Sequence, residues 1–148
     1  MKEIPNNAFF ALVEEEIENG KPVRFRLKGN SMFPLLRNGK DMVILEKYHT
    51  NNLRPMDVVL FHYKGSYVLH RIIQRAGDTL LIQGDGSIVA TEQCNVKDVV
   101  GKVTNICRPS GKITSVENWR WKLYSFLWVK SIRLRPYLLK ILYLFKRH

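Results

Sequence analysis

Cysteine is scarce, with Cys94 and Cys107 the only two in 148 residues. Their spacing is not that of a zinc site, and two thiols do not make a disulfide scaffold. They read as adventitious thiols of a reducing compartment. Acid is missing altogether from one end of the chain. Between Trp119 and His148 stand eight basic residues and no Asp or Glu, whereas the first 118 positions hold sixteen basic and thirteen acidic residues. The formal charge of +11 thus belongs to a tail on a nearly neutral body, and such a tail points to an anionic partner. Also lacking is a long apolar run behind the basic start. Met1-Lys2-Glu3-Ile4-Pro5 matches neither a secretory signal nor a membrane anchor, so these residues are expected to belong to the fold. Repeats and low-complexity tracts are absent too.

What is there is a globular composition, 45% hydrophobic and 25% charged, over a length that suits one domain with an appended element. Residues 7–19 have helical spacing. Asn6 or Asn7 can cap this helix, Phe9, Phe10, Leu12, Val13 and Ile17 supply its apolar face, and Gly20 can end it. Glu14, Glu15 and Glu16 read as a solvated face. After Gly20 the period becomes two, with Val23, Phe25 and Leu27 alternating with Arg24, Arg26 and Lys28. Further strands are expected at Met42–Glu46, Val58–His62, Tyr67–Arg75, Thr79–Gln83 and Val99–Cys107. Asn38-Gly39, Lys64-Gly65-Ser66, Ala76-Gly77-Asp78 and Gly84-Asp85-Gly86 supply the turns between them. The expected fold is mainly β: an antiparallel core over 21–108, a linker at 109–118, and amphipathic helices Trp119–Lys130 and Arg135–Lys146 within 119–148. In the second of these, Leu138, Ile141, Leu142 and Phe145 share a face.

Three stretches carry candidate chemistry. In Gly29-Asn30-Ser31-Met32-Phe33-Pro34, Gly29 permits close approach and Pro34 stiffens the turn. Ser31 can then expose its hydroxyl and use its backbone N–H toward an oxyanion. In Tyr67-Val68-Leu69-His70-Arg71-Ile72-Ile73, His70 sits on an apolar strand. An imidazole there is either a structural donor or a base able to take a serine proton at neutral pH. In Ile82-Gln83-Gly84-Asp85-Gly86-Ser87, the aspartate is either a turn former or the group that orients the histidine.

The order of these stretches resembles the signal peptidase family, over about residues 21–106, and in particular the branch that uses serine and histidine. Asn38-Gly39-Lys40-Asp41 and Pro55-Met56-Asp57-Val58-Val59 add to the resemblance. The related self-cleaving repressors share the Gly-x-Ser-Met-x-Pro stretch but use lysine as base, which His70 replaces here. The resemblance implies a peptidase domain over 1–108 with Ser31 as nucleophile and His70 as base. Asp85, or alternatively Glu92, would be the acid. Gly29, Asn30, Met32 and Pro34 would line the substrate and oxyanion side, and Arg71 would be a structural or substrate-side cation. No metal or cofactor is implied. The substrate would be a leader or signal segment of a precursor; a dedicated processing enzyme for a small secreted or modified peptide, or a non-catalytic β module binding peptide or membrane, are the alternatives. The family's hydroxyl two residues before the nucleophile is replaced by Gly29, and its N-terminal anchor is missing.

For the tail, spanning a membrane is disfavoured. Over 123–145 the twelve Leu, Ile, Val and Phe residues contribute about −6 kcal/mol, against about +12 for Lys130, Arg133, Arg135 and Lys140. Lying in the plane of an anionic membrane suits the composition better, with Trp121, Lys122, Trp128, Lys130, Arg133, Arg135 and Lys140 at the surface. So many Leu, Ile and Phe residues argue against nucleic acid. Peripheral attachment on the cytoplasmic side is expected, with helices packed on the β domain as the alternative.

Overall fold

The two-residue periods do form strands, and the turn residues set their register. The computed structural model describes residues 6–146; the expectation about Met1–Pro5, and the tail residues Arg147 and His148, lie outside the described residues. The chain is α+β. Helix α1 (Asn6–Glu18) precedes strands β1 (Val23–Arg26), β2 (Met42–Glu46), β3 (Val58–Tyr63), β4 (Ser66–Ala76) and β5 (Thr79–Gln83). Then come β6 (Glu92–Asn95), β7 (Val99–Cys107) and β8 (Ile113–Ser115), and helices α2 (Trp119–Lys130) and α3 (Arg135–Lys146) close the chain. All pairings are antiparallel, in the order β1-β2-β7-β3-β4-β5-β6, with β8 paired to β7.

Two strands exceed the six expected. β6 is only four residues of mixed polarity, Glu92-Gln93-Cys94-Asn95, and its period is too short to read. β8 lies inside the segment expected as a linker, where it extends the edge of β7 beyond β3. Lys64 and Gly65 both have positive φ, 49° and 78°, and close β3 onto β4 as a two-residue hairpin whose twist matches that of the strands.

The sheet is covered on both faces. Val58 and Leu60 of β3 join one core cluster with Val13, Ile17, Met32 and Leu36, while Val59 and Phe61 join another with Ile72, Leu80 and Ile82. That alternation explains why four consecutive residues of β3 are buried. On α1, Val13 and Ile17 are the buried pair one helical turn apart, and Leu12 is turned away, 57% exposed. α1 begins at Asn6, which places Asn7 inside its first turn rather than ahead of it. Glu14, expected as solvated, ties α1 to the sheet: it accepts from the Tyr67 hydroxyl at 2.9 Å and lies 2.8 Å from His62 Nε2.

The C-terminal helices pack on the body through narrow stripes. Asn118 caps α2 by accepting from Arg120 N at 2.9 Å, and Trp121, Ser125 and Trp128 form its buried stripe. On α3, Arg135 and Leu139 are buried and Leu138 and Leu142 partly so, while Ile141 and Phe145, expected on that same face, point outward. Of the residues expected at a membrane surface, Lys122, Lys130, Arg133 and Lys140 are exposed. Trp121, Trp128 and Arg135 instead face the protein, because they fall on the inner stripes. No helix among the described residues is long and apolar enough to cross a membrane.

Candidate active site

The Ser31 loop runs from the end of β1 to β2 and is braced at its base by a buried carboxylate. Asp41 accepts from Arg37 N at 2.7 Å, from Arg37 Nη2 at 3.1 Å and from Arg108 Nη1 at 2.8 Å. Burial raises its pKa, but the Arg37 hydrogen bonds and the Arg108 charge outweigh this and hold the carboxyl below its ordinary range. At the loop's other end Met32 and Leu36 sink into the core, so Met32 is an anchor rather than a substrate-side residue. Gly29 has φ 84°, and its N–H donates to Asn38 Oδ1 at 2.8 Å. Pro34 is half-buried, after a cis Phe33–Pro34 bond. Between these anchors Ser31 is exposed, and its N–H donates to no partner among the described residues.

Strand register carries His70 to the same place. Arg71 pairs with Gln83 across β4 and β5, so one further step sets Gly84 beside His70. A Cβ at Gly84 would stand 2.9 Å from His70 Nε2 and 2.5 Å from the Ser31 carbonyl oxygen. Only glycine lets the three come together. Two residues later, Gly86 N–H donates to that same Ser31 carbonyl at 2.8 Å, and a Cβ on Gly86 would collide with the Asn30 carbonyl. The Gly84-Asp85-Gly86 turn is thus the seat on which the Ser31 loop rests against His70. No hydrogen bond joins Ser31 Oγ to His70 among the described residues; the two are neighbours, with their side chains not yet bonded.

The two candidate acids separate cleanly. Ile72, Ile82 and Glu92 pair across β4, β5 and β6, so they share a face, and His70, two residues from Ile72, lies on it too. Since Gly84 puts no side chain between them, the Glu92 carboxylate reaches His70 Nδ1 and hydrogen-bonds it. Both side chains are largely buried, 13% and 12% exposed. Asp85, favoured over Glu92 on sequence, has a different partner. Its carboxylate takes Arg71 Nε at 2.9 Å and Arg71 Nη2 at 2.8 Å, a bidentate pair with both side chains buried. Arg71 also donates to Met56 O at 2.7 Å and lies 5.8 Å over the Trp121 ring. It points to the face opposite His70, which makes it structural and removes it from the substrate side.

Sequence reasoning missed how far the C-terminal helices enter this site. Trp128 Nε1 donates to Asp85 O at 2.9 Å. Arg135 Nη1 donates to Gln83 Oε1 at 3.1 Å and to Ser87 O at 3.0 Å, fixing both sides of the turn. Tyr143 stacks on Phe33 at 4.7 Å, and Lys146 Nζ donates to Asn30 Oδ1 at 2.7 Å. The signal was the Trp121, Ser125, Trp128 stripe, one helical face leading to a buried contact.

An Nδ1 hydrogen bond to a carboxylate leaves Nε2 as the proton-accepting nitrogen, and Nε2 is the atom on the Gly84 and Ser31 side. Such an arrangement can draw a proton from a serine hydroxyl once the side chains rotate into contact. Among the described residues no group of three or more His, Cys, Asp or Glu side chains gathers as a metal-ligand set. No family model matches the chain, and no curated protein matches it either.

Proposed function

We propose that this chain is a serine endopeptidase of the signal-peptidase kind, cleaving a leader or signal segment of a precursor at a membrane surface. Ser31 attacks the scissile carbonyl, His70 Nε2 takes its proton and returns it to the leaving amine, and Glu92 holds and charge-balances the imidazole. The Ser31 N–H, without a partner among the described residues, is available to the oxyanion, the kind of donor whose loss typically costs about 10²–10³ in rate. The observation that carries this reading is the meeting of Ser31 and His70 Nε2 at Gly84, with Glu92 on the imidazole's other nitrogen. A precursor segment would bind extended, as β strands bind edges. Attachment is peripheral, through the basic C-terminal helices, on the cytoplasmic side.

The test compares wild type with Ser31→Ala, His70→Ala and Glu92→Ala on a panel of precursor peptides bearing small residues before the cut. Loss of cleavage in the first two is expected, with a fall of about 10³–10⁴ in rate in the third; equal cleavage by all four ends the reading. A non-catalytic peptide-binding module is favoured by one observation, the missing Ser31 Oγ to His70 bond. It predicts peptide binding without turnover in the wild type.

A further inference from the structure

Helices α2 and α3 have two faces with different jobs. Their inner stripes hold the Gly84-Asp85-Gly86 turn and the nucleophile loop, through Trp128, Arg135, Tyr143 and Lys146. Their outer faces have no partner among the described residues. Leu123, Tyr124 and Leu127 of α2, and Ile141, Leu144 and Phe145 of α3, are all roughly half exposed or more, Phe145 by 74%.

Charge decides what covers this face. Arg120, Lys122, Lys130, Arg133 and Lys140 are exposed on the same two helices and the turn between them, and Trp119–Lys146 contains no acid. A second copy would bring the same sign of charge to the same patch, whereas an anionic lipid surface accepts the apolar residues and the cations together. We propose that the outer face of α2 and α3 seats on anionic lipid, and that this seating holds the nucleophile loop in place.

The coupling follows from how lightly α3 is held. Among the described residues its cluster has three fully buried members, Phe33, Trp128 and Leu139, with Leu35, Leu138, Leu142 and Tyr143 partly buried against them, so the docked position is open to being reinforced from outside. Lipid favours the docked helix over a released one because docking holds α3 against α2, through Leu139 on Trp128 and Arg135 Nη2 to Trp128 O, so that the two outer faces meet the surface together. Release also breaks the Arg135 bonds to Gln83 Oε1 and Ser87 O. A ligand that binds only the docked state stabilises it by mass action. The consequence for cleavage rests on the peptidase reading; the coupling itself does not.

The experiment therefore avoids cleavage. Ser31→Ala protein is mixed with vesicles of phosphatidylcholine containing about 30% phosphatidylglycerol, or of phosphatidylcholine alone. Co-sedimentation and hydrogen exchange at the Phe33 and Leu36 amides are read together, since these bond Asn30 O and Met32 O within the loop. Binding to the anionic vesicles alone is expected, and at lipid about ten times above half-saturation the two amides should exchange about ten-fold more slowly. Leu144→Glu with Phe145→Glu should abolish both effects. Tyr143→Ala should still bind vesicles but leave the loop exchange at its lipid-free rate. The proposal is overturned by vesicle binding that leaves the loop exchange unchanged or faster, by no preference for anionic lipid, or by a dimer that covers α3 instead. Loop protection here, together with a wild-type chain that cleaves none of the precursor peptides, would sink the peptidase reading and leave this one standing.

Discussion

Gly84→Ala is the sharpest perturbation the site offers. Gly84 does not have a positive φ, so alanine suits its backbone and any effect comes from the added methyl. That methyl would lie 2.5 Å from the Ser31 carbonyl oxygen and 2.9 Å from His70 Nε2. An ordinary C···O contact is about 3.3–3.6 Å, so the Ser31 backbone must retreat by roughly 1 Å. The carbonyl cannot rotate away like a side chain, because Gly86 N–H holds it at 2.8 Å. Overpacking of this kind costs about 1–3 kcal/mol of stability. On the proposed peptidase reading, a displacement of about 1 Å between Ser31 and His70 costs on the order of 10² in kcat/KM, equal to about 2.7 kcal/mol in the barrier. Urea denaturation reads the first effect and peptide cleavage the second, with Ser87→Ala as a neighbouring control expected to fall within two-fold of wild type, on the order of 0.5 kcal/mol. Gly84→Ala with wild-type stability and turnover would refute the claim that this residue is where Ser31 and His70 meet.

The two carboxylates should fail in different ways. On the proposed peptidase reading, Glu92→Gln replaces the acceptor on His70 Nδ1 by an amide that can select the wrong tautomer, and it is expected to lower kcat by about 10³–10⁴ while the midpoint of unfolding barely moves. Asp85→Asn leaves the buried Arg71 without its carboxylate and is expected to cost about 3–5 kcal/mol of stability; a reversed pattern would exchange their roles. For Asp41, whose carboxyl lies below its usual range when folded, the stabilisation is complete above the unfolded value near about 4 and is lost as pH falls through the folded value. Asp41→Asn should accordingly flatten the acid limb of stability against pH, and an unchanged limb in urea titrations would count against the brace. Burial, with Asp98 and Glu92 nearby, pushes the Cys94 thiol up to about 11, so at pH 8 only about one thiol in a thousand is ionised. Iodoacetamide should modify it only as fast as the protein opens, and labelling at the rate of a free thiol would contradict that burial.

Much of the fold was legible because it is written in short-range pattern. Alternation at Val23, Phe25 and Leu27, the Lys64-Gly65 hairpin and the stop at Gly20 depend on neighbours in the chain, and each appears where its residues direct. The short β6 and β8 were not legible, since strands of four and three residues take their pairing from a neighbour rather than from their own period. The site divides along the same line. Ser31, His70 and the Gly-Asp turn stood out by type and order, and the tertiary structure brings all three together. Which carboxylate meets His70 lay beyond any local reading, because Asp85 and Glu92 are equally able acceptors. The choice follows from strand register: Glu92 shares a face with His70 across a residue that has no side chain, while Asp85 is held by Arg71 on the other face. Likewise the basic, apolar character of the tail was plain from composition, but which of its residues turn inward was not. Trp128 and Arg135 are drawn to the Gly84–Ser87 turn because its carbonyls lie within reach of their N–H groups only once the chain has folded back.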